Sequence, residues 1–405
     1  MQTKSNNFAL ASLTALFFIM GFITVLNDIL VPHLKKIFDL NYFEAALIQL
    51  CFFGAYFITG GPFGKLLEKI GYPVGVVGGF LITALGCVLF YPAASTGSYP
   101  IFLGALFVLA SGIVLLQTAG NPFVTLLSPG KEATALTLVQ AFNSLGTFLG
   151  PHFGALLIIS GTAEVADKIK EAESVQIPYL IIAGVSVLLA IVFYLLKLPD
   201  VRARAEQISE ENHDGKQSMF EYPHLVLGAL AIFFYVGAEV SIGSFLILTM
   251  EKVASLDAKT SAHYISFYWG GAMAGRFLGS AIMAKIAPNK CLAFNAITNI
   301  ILIALAIVFD GQATIYLLIA IGFFNSIMFP TIFSLATKNL GKFTSQASGL
   351  ICIAIVGGAL VPPVQGIIAD YMGLITSYLV PMVCYFYIVF FALQGYKVIT
   401  DKEHL

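Results

Sequence analysis

Apolar residues run along this chain in long blocks separated by short polar gaps. Twelve blocks are long enough to cross a bilayer, whose hydrocarbon core takes about 20 helical residues. They fall at 8–31, 42–67, 73–93, 99–127, 133–160, 177–197, 224–249, 260–284, 290–309, 313–336, 345–369 and 375–397. The pattern predicts an all-α membrane protein of twelve transmembrane helices. The longest polar stretch, Pro199 to Tyr222, separates six blocks from six. It predicts an N-terminal bundle over 1–198, a linker over 199–221 and a C-terminal bundle over 222–405. A second polar stretch, Gly161 to Gln176, carries Glu164 and Lys168 four apart, which suits a short surface helix.

Composition narrows the class. Hydrophobic residues make up 58% of the 405 and charged residues 11%, against roughly 25% charged in soluble domains. A net charge of −1 with no basic cluster gives nucleic acid nothing to bind. The first apolar block is too long for a signal-peptide core, so no cleaved leader is expected. Cys51, Cys87, Cys291, Cys352 and Cys384 lie in apolar runs without a CxxC pair and read as core fillers. There is no HExxH and no GxxxxGK[ST], so neither zinc proteolysis nor ATP-driven work is supported. No nucleophile–base pair stands near the membrane-depth carboxylates, so the chain is not expected to be an enzyme or to carry a cofactor. Lys and Arg are divided fourteen to six between the two faces, the six being Lys35, Lys36, Lys168, Lys170, Lys252 and Lys259. The richer face shares its side with both termini, which are therefore expected in the cytoplasm of a multi-pass inner-membrane protein. A monomer is expected.

The two halves echo each other. Gly21, Lys36 and Leu40 match Gly237, Lys252 and Leu256 at one offset; Gly146, Pro151 and Gly154 match Gly358, Pro363 and Gly366 at a nearby one. Such weak internal symmetry in a twelve-helix chain points to a transporter with its site at mid-membrane.

Polar residues inside the blocks are the candidate chemistry. Asn27 and Asp28 interrupt the apolar run from Phe17 to Lys36. A carboxylate within a spanning helix costs at least a few kcal/mol unless it faces protein or water. Pro32, four residues on, leaves the Asp28 carbonyl without its helical donor. Gln117 and Asn121 share one face of helix 4, and Pro122 frees the Thr118 carbonyl. Gln140 and Asn143, with Ser144, mark helix 5. Amides donate and accept, and a carboxylate accepts from adjacent hydroxyls, so this set suits a hydroxyl-dense ligand such as a sugar. The same amides could instead tie helices together. Glu239 on helix 7 is a second membrane-depth carboxylate. It is a candidate to hold a coupling ion, sodium included, or to pair with Arg276 on helix 8; Asp28 is the alternative ion-handling group. Asn295, Asn299, Asn325 and Gln365 could line a cavity or bond between helices. Trp269, the only tryptophan, could cover a pyranose face or simply pack. Gly64, Glu68 and Gly71 between helices 2 and 3, with Arg276, are candidates for a conformational latch.

These motifs carry a resemblance. Gly64 to Gly71 resembles the loop 2–3 signature of the major facilitator superfamily, with Glu68 where Asp is usual. NDIL at 27–30, QTAGNPFVTLL at 117–127, QAFNSLG at 140–146, PTIFSLATKNLG at 330–341 and the ending Lys36 to Leu40 resemble the fucose:proton symporter family. YVGAEVSIGSF around Glu239 is similar to its sodium-dependent glucose/galactose branch. The resemblance implies two pseudo-symmetric six-helix bundles rocking about a central cavity, and cation-driven import of a hexose. It implies that Asp28, Gln140 and Asn143 bind sugar. Gln117 departs from the proton-handling Glu that the family carries there, and cannot titrate, so sodium rather than proton coupling is implied. A proton-coupled fucose-type symporter, or an exporter of small metabolites or drugs, is the alternative.

Overall fold

The computed structural model describes the backbone of residues 2–37, 42–158, 176–196, 198–199, 201, 204–208, 216–253 and 256–398; side chains of 2–5, 26–37, 42–46, 151–158, 258–259 and 262–263 are outside the described set. The expected surface helix, apart from Gln176, and residues 200, 202–203 and 209–215 of the linker lie outside the described residues. What is described is helical. In chain order the helices are α1 (Gln2–Ile37), α2 (Tyr42–Ile70), α3 (Tyr72–Thr96), α4 (Tyr99–Leu127), α5 (Glu132–Ile158), α6 (Gln176–Leu195) and α7 (Pro223–Val253). They continue with α8 (Ala258–Met283), α9 (Pro288–Val308), α10 (Gln312–Asn325), α11 (Met328–Ala336), α12 (Thr344–Ala354), α13 (Gly357–Met372) and α14 (Leu379–Phe390). Local chemistry sets the starts. Pro288 opens α9 at its first turn, where a missing N–H costs nothing. Asp257 caps α8 by accepting from the Thr260 N–H at 2.6 Å.

Two predicted spans are not continuous helices. The block 313–336 is α10 and α11 with a turn at Ser326–Ile327, and 345–369 is α12 and α13 with a turn at 355–356. Among the described residues ten stretches are long and apolar enough to span a membrane; α5 and α8 make up the twelve. Leu188, Ile191 and Leu195 of α6 stand exposed, as side chains facing lipid do.

Backbone proximity groups the chain into two compact units. The first comprises Met1–Leu127, Phe142–Ala203 and Ser348–Ile353. Within it α3 packs on α4 and α6, and α4 on α1 and α2. The second comprises Ser128–Ala141, Arg204–Ala347 and Ala354–Leu405. There α7 is central, packed by α8, α10, α11, α13 and α14. Among the very close helix crossings in each unit, one pair is related by the internal repeat. In the first, a Cβ on Gly21 would run into the Asn143 carbonyl, and one on Gly146 into that of Phe18. In the second, a Cβ on Gly237 would meet Val361, and one on Gly357 the Phe233 carbonyl. The internal repeat is thus built into the packing, with Gly357 rather than Gly358 at the crossing.

Candidate functional site

In the first unit, α1 and α5 are held together by polar groups at the crossing. Asn143 Nδ2 donates to the Phe17 carbonyl at 2.9 Å, and Thr147 Oγ1 to that of Gly21 at 3.3 Å. The amide N–H of Asn143 therefore ties two helices. Asn27 and Asp28 are carried by α1, but their side chains lie outside the described residues. On α4, Gln117 is half-buried and donates through Nε2 to the Tyr56 hydroxyl at 3.1 Å; Asn121 is fully enclosed. The Thr118 carbonyl, deprived of its donor by Pro122, accepts from Ser348 Oγ at 2.9 Å. Thr118 Oγ1 lies 3.2 Å from Cys352 Sγ. Tyr56 was not singled out from the sequence; no local pattern marks a tyrosine sixty-one residues from its partner.

The second unit holds a buried polar network that the sequence showed only in fragments. Tyr235 Oη donates to Glu239 Oε1 at 2.7 Å, one helical turn along α7, and lies 3.2 Å from the Asn325 carbonyl. Asn325 closes α10. Its Nδ2 donates to Tyr268 Oη at 2.9 Å, and its Oδ1 accepts from Tyr385 Oη at 2.6 Å and Asn299 Nδ2 at 2.8 Å. Tyr268 Oη in turn donates to the Glu239 carbonyl at 3.4 Å. Asn299, Asn325, Tyr235, Tyr268 and Tyr385 are all buried. Buried polar networks of this kind favour a single packing, although Asn299 Oδ1 has no partner among the described residues. Asn295 and Gln365 also bond between elements, to the Phe324 carbonyl at 2.8 Å and Ser377 Oγ at 3.3 Å.

Arg276 reaches the same place from α8. Its Nε donates to the Ser326 carbonyl at 3.1 Å and its Nη1 to the Gln140 carbonyl at 3.3 Å. Pro330 has no N–H to offer Ser326, which leaves that carbonyl for the guanidinium. The approach is close because Gly271, Gly275 and Gly279, spaced by four, face α10: added Cβ atoms would strike Phe323, Ser326 and Ile327. Small residues at this spacing let membrane helices touch backbone to backbone. This spacing, not singled out from the sequence, is the signal that could have marked the crossing. Gln140 is buried, and its backbone is what Arg276 holds.

The remaining predicted residues are dispersed. Trp269 is 44% exposed, its ring edge-on to Tyr268 at 5.1 Å. Glu68 is exposed on α2 and Gly71 caps α3 with φ 79°. Gly64 is buried where a Cβ on Gly349 would crowd its backbone and the Gly60 carbonyl. Among the described residues no group of three or more His, Cys, Asp or Glu could hold a metal ion.

Comparison with known proteins agrees with this architecture. A chain of Helicobacter pylori strain J99 named "Putative glucose/galactose transporter" is 65% identical, covering 98% of this chain and 99% of its own. A Brucella abortus chain named "Glucose/galactose transporter" is 53% identical, covering 97% and 95%. The L-fucose-proton symporter of Escherichia coli K12 is 36% identical, covering 96% and 94%. The crystal structure of the transporter FucP in the outward conformation superposes with a TM-score of 0.85 at 34% identity, covering 96% and 98%. The family model of the Major Facilitator Superfamily matches residues 13–363, and this multi-pass membrane protein belongs to that superfamily.

Proposed function

We propose that the protein is a secondary active symporter that imports a hexose of the glucose/galactose kind with a cation, by alternating access. The observation that carries this is end-to-end similarity to chains named for glucose/galactose transport, at 65% and 53% identity. The polar residues of the first unit supply the chemistry: Asp28 as acceptor, with the amides of Asn143 and Gln117, and Tyr56 orienting Gln117. Asn27, Asn121, Gln140 and Trp269 are further candidates for the sugar.

Sodium is the coupling ion in this reading, held at Glu239 in the buried oxygen-rich network of α7, α8 and α10. Proton coupling is the second reading, favoured by the similarity to the L-fucose-proton symporter; against it, Gln117 cannot titrate. The cation-rich loops support placement in the cell membrane with both termini cytoplasmic. Radiolabelled glucose uptake by proteoliposomes tests the reading, with sodium and proton gradients imposed separately. Uptake is expected to follow sodium, to be competed by galactose, and to be lost in Asp28→Asn. Uptake that follows pH and ignores sodium overturns the ion assignment; full uptake by Asp28→Asn removes that carboxylate from the site.

A further inference from the structure

We propose that Glu239, Tyr235 and the backbone carbonyl of Asn325 together coordinate a monovalent cation of sodium's size, at the interruption between α10 and α11. The inference rests on the cation-coupling reading of Glu239 and adds to it a ligand set and a place. Three observations carry it.

The first is a shortage of hydrogens. Tyr235 has one hydroxyl hydrogen and two acceptors beside it, Glu239 Oε1 at 2.7 Å and the Asn325 carbonyl at 3.2 Å. One donor cannot serve both well. A small cation among these three oxygens serves all of them, the hydroxyl through its lone pairs.

The second is the broken helix. The last carbonyls of a helix have no partner within it. Asn325 ends α10 at membrane depth, and the span resumes only at Met328. Unwound carbonyls of interrupted spans are what membrane transporters use to replace an ion's water shell. The neighbouring Ser326 carbonyl is already held by Arg276, so the Asn325 carbonyl is the one presented towards Glu239.

The third is charge. The site offers one carboxylate, bonded to Tyr235, and the Arg276 guanidinium is held on the adjoining Ser326 carbonyl at 3.1 Å. One carboxylate partly offset by one guanidinium suits a single positive charge better than two. The absence of a His, Cys, Asp and Glu cluster among the described residues also disfavours transition metals.

The chain carries its own reporter. Trp269 is its only tryptophan and stands against Tyr268, which bonds to both Asn325 and Glu239. Purified full-length protein is titrated with sodium chloride against choline chloride at constant ionic strength and pH, and Trp269 emission is read. A saturable change with sodium, absent with choline, is expected. Tyr235→Phe removes one oxygen ligand and should raise the half-saturating sodium about tenfold or more, with full amplitude recovered at high sodium. That recovery separates a weakened site from a misfolded protein. Glu239→Asp, which keeps the charge but draws the carboxylate back, should shift in the same direction; Glu239→Gln should not respond. A sodium response unmoved by both Tyr235→Phe and Glu239→Asp overturns the ligand set while leaving sodium coupling intact. A response retained by Glu239→Gln places the ion elsewhere. No response in the wild type, with uptake following pH, overturns the ligand set and the sodium reading together.

Discussion

In the proposed reading, Asn143 both holds helices together and binds sugar. Its Nδ2 donates to the Phe17 carbonyl at 2.9 Å and its side chain is half-buried, so Oδ1 is the atom proposed to meet a sugar hydroxyl. A hydrogen bond between membrane helices contributes about 0.6–1.7 kcal/mol. Asn143→Ala should therefore cost about 1 kcal/mol of stability and also raise the sugar KM. A thermal-unfolding measurement reads the first effect and uptake kinetics at saturating sodium the second. Loss of stability with unchanged KM would leave Asn143 as a helix tie alone. Residue types at this scale were legible in the sequence: carboxylates and amides inside apolar runs announce themselves by their cost. Their partners were not. Gln117 and Tyr56 are sixty-one positions apart, and Asn325 and Tyr385 sixty, so only the folded chain brings them together.

At the scale of the helix, glycine decides how closely two spans approach. Gly357 lies where a Cβ would strike the Phe233 carbonyl, backbone that cannot swing aside, whereas a Cβ on Gly270 would enter open space. Overpacking typically costs about 1–3 kcal/mol, while Gly to Ala in an uncrowded helix interior gains up to about 1 kcal/mol. Gly357→Ala should lower the midpoint of thermal unfolding in detergent, and Gly270→Ala should leave it unchanged or raise it. Equal effects of the two would remove the α7–α13 crossing as a point of close fit. The span count was legible because length and apolarity alone define a membrane helix. The crossing was nearly so, since the repeat matched Gly21 with Gly237 and missed its partner by one residue, at Gly358. The interruption at Ser326–Ile327 was hidden because hydropathy is blind to a turn that stays apolar. Pro330 was in view, yet a proline in the first turns of a helix also starts one, and nothing local distinguishes that from the middle of a continuous span.

For the whole molecule, the decisive quantity is the number of charges moved per sugar. A hexose is neutral, so the charge carried inwards is that of the cation alone, provided Glu239 and Arg276 keep their charges through the cycle. One elementary charge crossing 100 mV releases about 2.3 kcal/mol. At about 1.4 kcal/mol per tenfold, one cation per sugar with equal sodium on both sides sustains roughly fifty-fold accumulation at that potential. Proteoliposomes clamped by a potassium diffusion potential, inside negative, read this ratio from the plateau of labelled glucose. A plateau rising tenfold for every ~60 mV fixes one charge per sugar; tenfold for every ~30 mV fixes two. Replacing sodium by choline should abolish accumulation, leaving only equilibration. Glu239→Gln should do the same with sodium present, because a neutral amide cannot compensate the ion that the potential drives. A wild-type plateau that ignores the potential would mean that no net charge moves with the sugar, and coupling through Glu239 to a single monovalent cation would be refuted.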